Sequence, residues 1–148
     1  MIRKIITISS DSTVQEAIET MNDRSTSCLV ILLEGRVIGI ITVQDLVYRV
    51  VAKGLNPQKT RVQEISSRPV VVMRPETALV TAVKVMLQKK IKKIPLINGE
   101  KGYGRLIGLV SFSDIIKYHS LLLANLLEEL LLTVPALSLE EDIVVVES

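Results

Sequence analysis

Apolar residues recur along this chain with two distinct periods. Val14, Ala17, Ile18 and Met21 keep the i, i+3, i+4, i+7 spacing of a helix that buries one face. Thr13-Val14-Gln15-Glu16 predicts its start as a capping box, and the helix is expected to run to about Arg24. Upstream, Ile5–Ile8 is short, apolar and rich in β-branched residues, which predicts a buried strand. Downstream, Cys28–Leu33 and Val37–Ile41 flank Glu34-Gly35 and predict a hairpin. A second helix is expected after Thr42, closing at Gly54 as a left-handed C-terminal glycine.

The same order then repeats. Val14–Met21 matches Leu79–Met86 at an offset of 65, with Ala17 on Ala82 and Met21 on Met86. Gly39–Leu46 matches Gly108–Ile115 at an offset of 69. The difference is absorbed in Asn98–Gly104, where a longer hairpin loop costs little. Val70–Met73, the helix from Leu79, strands Ile94–Ile97 and Leu106–Val110, and a helix after Ser111 complete a second β-α-β-β-α unit. The fold class is therefore α+β, two repeats plus a C-terminal Leu-rich helix. The expected boundaries are 1–57 for the first repeat, 58–67 for a linker, 68–120 for the second repeat and 121–148 for the helix and tail.

Composition narrows the function. The 148 residues are 48% hydrophobic with a net charge of +2, which excludes a disordered chain and supplies no field for nucleic acid. One Phe, three Tyr and no Trp leave few bases to stack, although Lys89, Lys90, Lys92 and Lys93 form a basic cluster. Lys89 and Lys90 read equally well as the solvated end of a helix. Cys28 and His119 offer neither metal-ligand spacing nor a nucleophile–base pair, so no catalytic residue and no metal are expected. Gly99–Gly104 lacks the Gly-Lys-[Ser/Thr] ending of a phosphate loop and reads as a flexible hairpin loop. Ser120–Pro135 carries Asn125, Glu128 and Glu129 and falls short of the ~20 apolar residues a bilayer requires. A cytoplasmic, soluble protein is the expectation.

Chemistry concentrates in a motif common to both units: Gly, two apolar residues, Thr or Ser, two residues, then Asp. The bland interpretation is a capping box worth ~1 kcal/mol. The functional one places a hydroxyl and a carboxylate at a helix start, where backbone N–H groups favour phosphate and an acceptor-only carboxylate suits a vicinal diol. Both can hold at once.

The duplication, the element order and this motif resemble a tandem pair of cystathionine-β-synthase (CBS) domains over about residues 3–120. Glu64–Val72 and Ile94-Pro95-Leu96-Ile97-Asn98 add to the likeness. The resemblance implies pseudo-two-fold packing of the repeats, with clefts that bind adenine nucleotides or adenosyl compounds. By that likeness the first cleft takes Thr42 and Asp45 from one copy and Arg68, Pro69, Val70, Lys92, Lys93, Ile94 and Pro95 from the other, with Lys92 and Lys93 near phosphate. The second takes Ser111 and Asp114 with Thr7, Ile8, Cys28 and Leu29. It is expected to be weaker, because Cys28 stands where the first cleft has Lys93.

The function implied is a non-catalytic, energy-sensing regulatory module. Its ligand order is AMP first, then ADP or ATP, then S-adenosylmethionine, and it relays binding to an unknown regulated protein. The alternative is a dimerisation or docking scaffold with vestigial clefts. Leu123, Leu126, Leu127, Leu130, Leu131 and Val134 form a stripe that Leu121, Leu122 and Leu132 widen. A helix apolar over so much of its circumference needs partners on more than one side, so a homodimer through the repeat helices and Leu121–Val134 is expected. No membrane or nucleic acid partner is implied.

Overall fold

A three-stranded sheet and a two-stranded sheet carry the two repeats. The structure, a computed structural model, describes residues 5–66, 70–100 and 103–131. In the first sheet β1 (Thr7–Ser9) lies parallel to β2 (Cys28–Leu33), which pairs antiparallel with β3 (Arg36–Thr42). Between β1 and β2 runs α1 (Val14–Arg24), opened by the expected capping box. Thr13 Oγ1 accepts from Glu16 N at 3.1 Å, and Thr13 N donates to Glu16 Oε2 at 2.8 Å. Val14, Ala17 and Met21 are buried with Leu29, Ile31, Ile41 and Val50 in one core.

The second half repeats the helix and hairpin of this arrangement. It consists of α4 (Leu79–Lys89), β4 (Lys93–Glu100) and β5 (Tyr103–Ser111). Both helices end on a non-glycine residue in the left-handed region, Ser25 at φ 49° and Lys90 at φ 56°, one offset of 65 apart. Both hairpins slip register at matching points, after Ile31 and after Leu96. Val43 N donates to Ser27 O at 3.1 Å, and its counterpart Phe112 N donates to Lys92 O at 2.7 Å. Strand β3 also meets β5, its own repeat equivalent, which is the contact an approximate two-fold axis generates.

Three expectations need correction. The strand expected over Val70–Met73 shrinks to a single bridge, Met73 to Leu96. Two prolines explain this. In the first repeat the outer rungs are Val30 N to Ile6 O (3.1 Å) and Ser10 N to Leu32 O (2.9 Å). The residues equivalent to Val30 and Ser10 are Pro95 and Pro75, which have no N–H to give. Only the inner bonds survive, Met73 N to Pro95 O and Ile97 N to Met73 O, each 2.9 Å. Pro95→Val is therefore expected to return the missing rung to Val71 O. The new amide becomes protected in hydrogen exchange, with little change in stability. One hydrogen bond adds about 1 kcal/mol and the lost proline restriction removes about as much.

The described part of the glycine-rich stretch is also not a loose loop. Strands β4 and β5 extend into it from both sides, pairing Asn98 with Arg105, Gly99 with Gly104 and Glu100 with Tyr103. The extra residues thus lengthen both strands. Gly104 makes this possible, because a Cβ there would lie 2.2 Å from Asn98 O. Third, the helix after Thr42 is not α-helical throughout. A short α2 (Val43–Asp45) passes into a π-helical segment, Leu46–Val51, with Ala52 N bonded to Val47 O and Leu55 N to Val50 O. Val50 enters the core while Val47, Tyr48 and Val51 face outward.

The connector between the repeats is built into the first core. Val14 N donates to Thr60 O (2.8 Å) and Val62 N to Ser12 O (2.9 Å). The short helix α3 (Val62–Ile65) buries Val62 and Ile65. Residues from Ser113 onward form a separate unit. There α5 (Phe112–Tyr118) carries buried Asp114 and Ile115, and α6 spans Ser120–Leu131 with Leu126 buried and Leu121 exposed. The expected continuation of the stripe to Leu132 and Val134 lies outside the described residues. Among the described residues no helix is long and apolar enough to cross a membrane.

Candidate functional site

Where β3 runs into α2, Thr42 and Asp45 form a reciprocal cap. Asp45 Oδ2 accepts from Thr42 N at 2.8 Å and from Thr42 Oγ1 at 3.1 Å, and Asp45 N donates to Thr42 Oγ1 at 3.4 Å. Capping does not bury the pair. Asp45 retains 12% side-chain exposure, and both residues line a cavity of about 330 Å³. This volume lies at the small end of ligand pockets.

The opposite wall comes from the second repeat. Val70 and Val71 precede the Met73 bridge, and Lys90, Ile91, Lys92 and Lys93 turn from α4 into β4. Ser27, Ile40, Val43 and Gln44 complete the lining. Lys93 Nζ crosses the gap and donates to Ser27 Oγ at 3.2 Å. With three lysines and one aspartate the lining carries a positive excess that suits an anion, and the apolar Ile40, Val70, Val71 and Ile91 suit a flat ring.

Of the residues expected here, Thr42, Asp45, Val70, Lys92 and Lys93 come together. Arg68 and Pro69 lie outside the described residues. Ile94 and Pro95 are fully buried and stand behind the wall, so their side chains support β4. Lys90, equally readable as a solvated helix end, lines the cavity because its left-handed backbone turns the chain inward. Sequence reasoning missed Ser27, though the repeat signals it: Ser27 is the offset-65 equivalent of Lys92. Gln44, Val71 and Ile91 carry no such signal.

The residues expected for a second cleft divide differently. Thr7 is exposed on β1, while Ile8 packs against the first core. Leu29 is a core residue with no exposure, so its side chain is closed to a ligand. Cys28 is buried opposite Thr42 in the ladder, and Ser111 is buried opposite Lys93. Burial pushes the Cys28 thiol above its ordinary value, the nearby Lys93 charge opposes the rise, and Asp45 adds to it. Asp114 is buried on α5.

The CBS-domain family pattern matches residues 1–52 and 62–120. The chain belongs to the CBS-domain family as a tandem pair. It is 35% identical over 129 residues to the uncharacterized protein MK0525 of Methanopyrus kandleri, covering 86% of this chain and 64% of that protein. It is 30% identical over 118 residues to the inosine-5'-monophosphate dehydrogenase of Methanocaldococcus jannaschii, covering 79% of this chain and 22% of the enzyme. The chain thus spans less than two thirds of either relative. The hexameric CBS-CP12 protein of bloom-forming cyanobacteria superposes with a TM-score of 0.69 at 29% identity, over 96% of this chain and 75% of that one. CBS domains are regulatory modules, and nucleotide binding is generic to the family.

Proposed function

We propose that this chain is a non-catalytic regulatory module that binds an adenine nucleotide, AMP before ADP or ATP, in the cavity between Asp45 and the Lys90–Lys93 turn. S-adenosylmethionine ranks last, since its sulfonium cation would face three lysines. The observation that carries the reading is that one 330 Å³ cavity sets the Thr42–Asp45 pair against Lys90, Lys92 and Lys93. Asp45 takes the ribose hydroxyls, the lysines take phosphate, and Val70, Val71 and Ile91 take the base. In this reading the repeats are 1–57 and 68–120, joined by a connector at 58–67, and each repeat contributes one wall. A ligand touching both walls favours the arrangement in which they are close, and the shifted population is the signal a regulated protein reads. Titration calorimetry on ligand-free protein tests this. Saturable heat with AMP is expected, and no heat with AMP, ADP, ATP or S-adenosylmethionine at millimolar concentration refutes it.

A homodimer goes with this reading. Val43, Val47, Tyr48 and Val51 are 46%, 48%, 67% and 73% exposed, an apolar surface that favours self-association. Tyr48→Asp is expected to shift sedimentation from dimer to monomer with the far-ultraviolet circular dichroism unchanged. A monomeric wild-type chain at tens of micromolar contradicts the dimer.

A further inference from the structure

Arg49 belongs to no motif of the repeat, and Tyr118 stands at its equivalent in the second copy. Its guanidinium nevertheless joins two parts of the molecule that the cavity needs in register. Nε lies 3.5 Å from Asp45 Oδ1. Nη1 donates to the carbonyls of Ile65 and Ser66 at 3.2 and 3.1 Å. Those carbonyls end α3, the last described turn before the chain re-enters at Val70 and Val71 on the opposite cavity wall. Ser66 is buried there against β3, where Gly39 leaves it room: a Cβ on Gly39 would lie 3.0 Å from Ser66 Cβ.

The π-helical segment is part of this arrangement. Arg49 sits inside it, four residues after Asp45. The wide turn carries the arginine between the carboxylate and the connector, and π turns of this kind gather at functional sites. A planar guanidinium presents donors in fixed directions from separate nitrogens, here Nε toward the carboxylate and Nη1 toward two carbonyls, a spread that the single nitrogen of an ammonium does not offer.

We infer that Arg49 is a positioning residue: it fixes the Asp45 carboxylate relative to the connector that carries the opposite wall, so that both walls meet one ligand. This rests on the nucleotide reading of the cavity. The predicted readout is a double-mutant cycle of AMP affinity. Arg49→Met in the otherwise native chain is expected to weaken binding about tenfold, the scale of a hydrogen bond to a charged group. In an Asp45→Asn background the same change is expected to cost less than twofold, because its target is gone. Arg49→Lys serves if the Met variant folds poorly, with a smaller loss that again vanishes beside Asp45→Asn. An equal loss in both backgrounds, or none in the native one, overturns the inference while the nucleotide reading stands. A native chain that binds no AMP, ADP or ATP overturns both.

Discussion

Replacing Asp45 by Asn is expected to lower AMP affinity by about 10- to 100-fold while leaving the fold intact. The warrant is the difference between an ionised and a neutral acceptor. Hydrogen bonds to charged groups contribute roughly 1.5–3 kcal/mol, about one to two decades in the dissociation constant. The local cap survives in large part, because the Asn carbonyl can still accept from Thr42 N, which now reaches Asp45 Oδ2 at 2.8 Å. Loss of the cap altogether costs about 1 kcal/mol of stability, far less than a domain holds. Calorimetry and thermal melting on the same samples separate the two effects. A full-affinity Asp45→Asn protein with a small drop in melting temperature supports the docking-scaffold alternative and leaves the motif a helix cap alone.

That prediction was reachable from the sequence, because Asp45 declares itself twice. The repeat of Gly, Thr or Ser, and Asp at one offset singled out the residue, and the elements around it fix where it points. The hairpins themselves were equally accessible, and in the structure Cys28 with Thr42 and Lys93 with Ser111 are equivalent pairs in the two ladders. The differences arise where one residue changes backbone chemistry without disturbing hydrophobic period. Pro75 and Pro95 leave Val70–Met73 as apolar as a strand, yet remove both outer rungs. Gly104 reads as a loop residue, but its missing Cβ lets two strands approach. The π-helical segment keeps an apolar pattern compatible with an α-helix, so periodicity alone passes over it and over Arg49.

The opposite wall shows the same division. Lys92 and Lys93 were expected near phosphate from family likeness, and their placement beside the cavity follows from the turn between α4 and β4. Lys90 joins them through a left-handed residue that composition cannot reveal, although Ser25 at the equivalent position adopts it too. Distances across the cavity depend on contacts far apart in sequence, such as Lys93 with Ser27. Those contacts are set by how β3 and β5 meet and not by local propensity.

The largest loss of stability is expected at Ile31, and its repeat equivalent provides the control. Ile31 has no exposed surface and packs with Val14, Ala17, Leu29 and Val50 in the first core. Ile31→Ala is expected to cost about 3–4 kcal/mol, transfer and cavity terms together. For a chain of this length that lowers the melting temperature by roughly 8–12 °C. Leu96 occupies the equivalent place on β4 but is only partly buried, and its side chain lies over the bare backbone of Gly108, where a Cβ would sit 3.2 Å from Leu96 Cδ1. Leu96→Ala is expected to cost less, about 2 kcal/mol, because water already reaches part of the site and less cavity is created. Urea denaturation at an unchanged m-value measures both. If Leu96→Ala proves the more costly, the second sheet holds the core that matters and burial in the first repeat is not what secures the Asp45 wall.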